Sequence, residues 1–124
     1  MAKIRIGIVG YGNIGRGVEL AVSRNPDMEL VSVFTRRDPR GLKIAHESAS
    51  VHGVDEAASL RDRIDVMILC GGSAVDLPRQ GPEFAALFNT IDSFDTHAKI
   101  LQYFEAVNDA AIKGGRVSII SVGW

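Results

Sequence analysis

Residues 4–15 read Ile4-Arg5-Ile6-Gly7-Ile8-Val9-Gly10-Tyr11-Gly12-Asn13-Ile14-Gly15. The β-branched, mostly apolar run ending at Val9 predicts a buried strand, which Gly10 and Gly12 close in a tight turn. Ile14, Val18, Ala21 and Val22 then recur at helical spacing. Asn25-Pro26 stops that helix, because the residue before a proline is pushed out of the α region. Met28 to Phe34 alternates and then turns apolar, giving a second strand that ends at the polar cluster Thr35-Arg36-Arg37-Asp38-Pro39. Strand, turn, helix and strand make one βαβ unit.

The pattern repeats along the chain with varying clarity. Between 39 and 62 the reading is a short helix over 41–47, a short strand over 49–52 and a helix over 55–61. Residues 65–70 (Asp65-Val66-Met67-Ile68-Leu69-Cys70) form a buried strand closed by Gly71-Gly72, and a helix broken near Pro78 and Pro82 occupies 76–88. A short strand over 89–91 follows. Ile100, Phe104, Val107 and Ala111 line one face of a long helix starting near Thr96, Gly114-Gly115 end it, and 116–122 make the last strand. Alternating strands and helices specify a doubly wound, mostly parallel sheet with helices on both faces, a three-layer α/β/α Rossmann-like architecture over residues 1–124.

Composition agrees with one such domain. The 124 residues are 46% hydrophobic and 23% charged, with net charge -1, which excludes a disordered or low-complexity chain. That charge balance gives no overall field for nucleic acid or an anionic membrane. The longest apolar run, Val66 to Cys70, is far too short to cross a bilayer. A lone Cys70 makes no intrachain disulfide and no multi-cysteine metal site, so a cytoplasmic protein without a bound metal is expected.

Gly10-Tyr11-Gly12-Asn13-Ile14-Gly15 fits G-x-G-x-x-G between a strand and a helix, the setting a pyrophosphate site requires. Gly10 makes the turn, Gly12 admits backbone N–H groups to the phosphates, and Gly15 lets the helix pack on the strand. An NAD-preferring site places an acid about 20 residues further on, at the end of the second strand, to hold the ribose hydroxyls. Thr35 stands there instead, followed by Arg36 and Arg37. One hydroxyl and two guanidinium groups suit a dianionic 2′-phosphate and could cover the adenine face, so NADP is the expected cofactor.

Cys70, Gly71, Gly72, Ser73 and Ala74 follow the central strand at its carboxyl end, where ligands bind in such folds, and are expected to line the rest of the cofactor. Cys70 has no base beside it and reads as a buried apolar residue rather than a nucleophile. Ser73 could instead cap the next helix. Asp92-Ser93-Phe94-Asp95-Thr96-His97 gathers two carboxylates and an imidazole on the same edge, where a cationic amine could be held. The competing reading gives Asp95 or Thr96 to a helix cap and Asp92 to turn amides. His46 and His52 lack metal-ligand spacing and read as surface or turn residues. Trp124 is either a substrate wall or an ordinary core residue. The end of the chain directly after a strand, on the ligand edge, reads as a cut through a site.

Five separated segments together carry a resemblance: 8–16 (Ile8-Val9-Gly10-Tyr11-Gly12-Asn13-Ile14-Gly15-Arg16), Phe34-Thr35-Arg36-Arg37, Cys70-Gly71-Gly72-Ser73-Ala74, 92–97, and Ser121-Val122-Gly123-Trp124. They resemble the amino-terminal portion of the meso-diaminopimelate dehydrogenases. The resemblance implies a cytoplasmic, homodimeric oxidoreductase that uses NADP to deaminate a diamino dicarboxylic acid at its D-configured centre, giving L-2-amino-6-oxopimelate. It further implies that Gly12, Asn13 and Ile14 contact the phosphates, that Thr35, Arg36 and Arg37 contact the 2′-phosphate, and that residues 70–74 contact the rest of the cofactor. Asp95 and Trp124 match substrate-contacting positions. Val75 stands where that family commonly has threonine, and Arg79 replaces a common glutamate. The substrate and dimerisation domain and the returning segment of the family are not in this sequence, so the chain is expected to show no turnover and weak or no cofactor binding. Two other readings fit: a stand-alone nucleotide-binding module, and another NADP oxidoreductase of the dihydrodipicolinate reductase type.

Overall fold

Strand β1 (Ile4–Val9) forms where the sequence alternates least, because it is covered on both faces: Ile6, Ile8 and Val9 are all buried. The computed structural model describes residues 2–123. After β1 come α1 (Asn13–Ser23), β2 (Met28–Thr35), β3 (Ser50–Gly53), β4 (Val66–Leu69), α2 (Leu77–Ala85), β5 (Asn89–Asp92), α3 (Ile100–Gly114) and β6 (Ser118–Ile119). All strand pairs are parallel, in the order β3-β2-β1-β4-β5-β6. This is the doubly wound order that reverses at β1 and β4, and the reversal opens a crevice at their carboxyl ends.

Two apolar layers sandwich the sheet. On one side Val22 of α1 packs with Ile6, Ile8, Leu30 and Val33. On the other, Leu77, Phe84 and Ala85 of α2 and Tyr103, Val107 and Ala111 of α3 pack with Phe34, Met67 and Leu69. The expected α/β/α layering is therefore present. One in-register row, Val33-Ile8-Ile68-Ile91-Ile119, crosses the sheet on the α1 side. Val33 and Ile8 are fully covered, Ile68 and Ile91 are half-buried, and Ile119 is 52% exposed. Helix α1 packs chiefly on β1 and β2.

Several local expectations change. No helix covers 41–47: Asp38 caps a single 3-10 turn, Pro39–Gly41, and irregular chain follows. The segment expected as an α-helix over 55–61 is a longer 3-10 run, Val54–Arg63, with only Ala57 buried. With one buried residue it has no apolar stripe to select α periodicity. Helix α2 runs through Pro82 rather than breaking there. The last strand shrinks to Ser118–Ile119, and α3 is preceded by a 3-10 turn, His97–Lys99, with no side-chain cap from Asp95 or Thr96. Two assigned core positions point outward: Ile14 and Phe104 are each 50% exposed, and Gly15 and Tyr103 occupy the inward positions beside them.

Candidate functional site

Gly10 has φ +93, a conformation that L side chains rarely adopt, and its N–H donates to the Phe34 carbonyl, which ties the turn to the end of β2. A Cβ on Gly15 would collide with the Gly10 carbonyl oxygen, so only glycine lets α1 start this close to β1. Gly12 is the opposite case: nothing lies within 4 Å of where its Cβ would stand. It is the N-cap of α1 and supplies no side-chain cap, which leaves the first-turn N–H groups without one. An anion fits there by geometry and by helix dipole.

Around this turn a cleft of about 540 Å³ is lined by Gly10, Tyr11, Gly12, Thr35, Arg36, Arg37, Val54, Cys70, Gly71, Gly72, Asp76 and Gln80. A larger hollow, about 720 Å³, lies at the amino ends of β1 and β2 beside Lys3, Arg5 and Met28. The smaller one is the candidate, because ligands of doubly wound sheets sit beyond the carboxyl ends of the strands.

The expected basic corner is present. Arg37 Nη2 donates to the Tyr11 carbonyl at 3.4 Å, and the Arg37 N–H donates to Thr35 Oγ1 at 3.1 Å. Thr35 is 4% exposed and its hydroxyl proton is still available to a ligand oxygen. Arg36 pairs with Asp76 across the cleft, Nη1 to Oδ1 at 3.0 Å, and Asp76 Oδ2 accepts the Gly72 N–H at 3.1 Å. The β2 end itself supplies two cations and no acid at 35–37, and the one carboxylate at this corner, Asp76, comes from the α2 side and is paired with Arg36, which fits a nucleotide with a 2′-phosphate.

Cys70 is buried, and burial pushes its thiol up to about 12, which rules out a thiolate nucleophile at neutral pH. Ser73 does not cap α2; its Oγ accepts the Asp95 N–H at 2.8 Å. That bond joins the loop over 70–74 to the exposed Asp95. Asp92 does not form an open cluster with Asp95: its Oδ1 accepts the Phe94 and Ser121 N–H groups, each at 3.0 Å, and its Oδ2 accepts the Tyr103 hydroxyl at 2.5 Å. Its role is the turn-amide one. Trp124 lies outside the described residues. Among the described residues no His, Cys, Asp and Glu group is placed to hold a metal ion, and no helix is long and apolar enough to cross a membrane.

One residue that the sequence reading passed over, Glu19, supports the glycine turn through Tyr11. Glu19, 2% exposed on α1, accepts the Tyr11 hydroxyl on Oε1 and both the backbone N–H and Nδ1 of His46, each at 2.9 Å, on Oε2. His46 is a turn residue, its carbonyl accepting the Ala49 N–H, but its ring is a partner of a buried carboxylate rather than free on the surface. Burial pushes the Glu19 carboxyl up, but the Tyr11 and His46 donors outweigh that and hold it below its ordinary value. Tyr11 moves the other way, raised by burial and then by Glu19. A lone carboxylate on the Gly15-Glu19-Val22 face of an amphipathic helix was the signal that could have found this contact.

Comparison with known proteins agrees with the geometry. Residues 4–105 match the oxidoreductase family with an NAD-binding Rossmann fold. The chain is 68% identical over 124 residues to a meso-diaminopimelate D-dehydrogenase of Lysinibacillus sphaericus, covering 100% of this chain and 38% of that relative. It spans 38% of that curated relative's length. An engineered D-amino acid dehydrogenase bound to NADP+ superposes with a TM-score of 0.90 at 40% identity, over 99% of this chain and 37% of that one. The C. glutamicum DAP dehydrogenase in complex with DAP gives 0.89 at 40% identity, over 100% of this chain and 37% of that one. Between the glycine turn, the strand order and the matched span, the conclusion is that this chain belongs to the oxidoreductase family with an NAD-binding Rossmann fold.

Proposed function

We propose that residues 1–124 are the NADP-binding portion of a meso-diaminopimelate dehydrogenase. The enzyme would oxidise the D-configured Cα of a diamino dicarboxylic acid. The bound cofactor would accept the hydride from Cα and water would hydrolyse the resulting imine, so that substrate, NADP+ and water would give L-2-amino-6-oxopimelate, ammonium, NADPH and one proton. This chain's residues bind and orient the cofactor. The N–H groups of Gly12, Asn13 and Ile14 face the pyrophosphate, with Gly10, Tyr11 and Gly15 shaping the turn; Thr35, Arg36 and Arg37 take the 2′-phosphate. Cys70, Gly71, Gly72, Ser73 and Ala74 line the remaining cofactor path, and Asp95, hydrogen-bonded to Ser73, reaches the substrate edge. Trp124 is assigned to the substrate by the resemblance alone. A homodimer in the cytoplasm, as the resemblance of the five segments implies, completes the proposal.

The single observation that carries this reading is the end of β2, where Thr35, Arg36 and Arg37, with no acid among them, share one cleft with a glycine turn open at Gly12. Titration calorimetry with NADPH and NADH tests it. Charge-assisted bonds to the extra phosphate favour NADPH by about 1.5–3 kcal/mol each. Arg37→Ala and Arg36→Ala are expected to weaken NADPH far more than NADH, Arg37→Ala the more strongly because Arg36 is already paired with Asp76. Equal affinities in the unaltered chain, or parallel losses in the variants, would remove the assignment.

A further inference from the structure

The nucleotide cleft holds one polar group for which the fold supplies no partner. Gln80, on α2, is 9% exposed and lines the cleft with Val54, Gly71, Asp76 and Arg36. Its Oε1 is buried and accepts no hydrogen bond; among the described residues only Ser121 Oγ shares that condition. Buried carbonyl oxygens are costly to leave unpaired, so one that survives in a ligand cleft points to a donor that arrives with the ligand. Oε1 also lies 3.0 Å from the point that a Cβ on Gly71 would occupy, so the wall beside it is bare backbone.

We infer that Gln80 Oε1 is the acceptor for the exocyclic amino group of the cofactor's adenine. This rests on the NADP reading. With the pyrophosphate on Gly12 and the 2′-phosphate on Arg37, the adenosine ribose lies between them, and the base on that ribose is left the remaining lining of the cleft: Arg36, Val54, Asp76 and Gln80. Adenine presents a donor there through its 6-amino group and two apolar faces. Arg36, held across the cleft by Asp76, offers a planar cation for one face, and Val54 offers apolar surface. Gln80 then reads which base is present, separately from the arginines that read the phosphate.

The test uses adenosine 2′,5′-bisphosphate and its purine analogue lacking the 6-amino group, titrated against this chain and against Gln80→Leu. In the unaltered chain the amino group is expected to strengthen binding roughly three- to tenfold, the worth of a neutral hydrogen bond. In Gln80→Leu that advantage disappears, while the analogue binds as it does to the unaltered chain. Gln80→Met repeats the measurement should the leucine variant fail to fold. Equal affinity of both ligands for the unaltered chain, or equal loss of both in the variants, overturns the base contact. If binding still depends on Arg37 in that case, the NADP reading stands without it. Should the unaltered chain bind neither ligand, the same titrations on the full-length protein decide, and failure there overturns the NADP reading and this inference together.

Discussion

Arg36 and Asp76 meet across the mouth of the cleft, Nη1 to Oδ1 at 3.0 Å, with Asp76 anchored by the Gly72 N–H. The Arg36 side chain is 63% exposed and the Asp76 side chain 17%, so the pair is half in water and contributes little to stability. Its effect falls on the ligand, because an arriving 2′-phosphate must share Arg36 with a fixed negative charge. Asp76→Asn keeps a hydrogen-bonding oxygen and removes that charge. It is expected to raise the preference for adenosine 2′,5′-bisphosphate over AMP by about two- to fivefold, read by calorimetry; an unchanged ratio would show that the pair opens freely.

The Glu19 carboxylate makes a different prediction, about the fold. Replacing it with Gln puts an amide opposite the Tyr11 hydroxyl and the His46 donors and is expected to cost about 1–3 kcal/mol at neutral pH. Because the folded-state carboxyl is held below its ordinary value of 4.5, its contribution is fully present above that value and is lost as pH falls through the lower folded-state value. Melting temperatures of the two proteins should therefore differ at neutral pH and converge on acidification. A constant gap would refute the role of the charge.

Gly12 and Gly15 separate binding from folding. Gly15→Ala drives a methyl into the Gly10 carbonyl and is expected to destabilise by about 1–3 kcal/mol. Gly12→Ala places its methyl in open space, so the melting temperature should scarcely move while cofactor titration is abolished. Matching thermal scans for both variants would contradict the distinction.

Cys70 is expected to resist thiol reagents. With its thiol pushed up to about 12 by burial, labelling at pH 8 should proceed only on unfolding, and should follow the unfolding transition in denaturant. Rapid stoichiometric labelling of the folded chain would place the side chain in the open cleft instead.

The backbone plan was legible in the sequence because the periodicities of residues 4–34 and 65–70 are strong and the caps explicit. Asn25-Pro26 ended α1, and Gly115, at φ +65, ended α3 as its position required. Most of the failures share a physical source: tertiary contacts that a periodic pattern does not specify decide them. Ile14 and Phe104 fit a helical stripe as well as their neighbours do, and only the packing of Gly15 against Gly10 and of Tyr103 against Phe94, rings 3.9 Å apart, settles which face turns inward. His46 could not be read because its partner Glu19 lies 27 residues earlier. The arginines were found because a motif fixes where to look, whereas Asp76 and Gln80 follow no motif.

The uneven covering of the sheet has a kinetic consequence. The Val33-Ile8-Ile68-Ile91-Ile119 row is sealed at one end and wet at the other, and β6 has only two residues and one neighbouring strand. Local opening should therefore start at β6 and work inward, with amide protons exchanging soonest around Ile119 and last at Ile8. The strands that carry the glycine turn stay shut while the far edge frays.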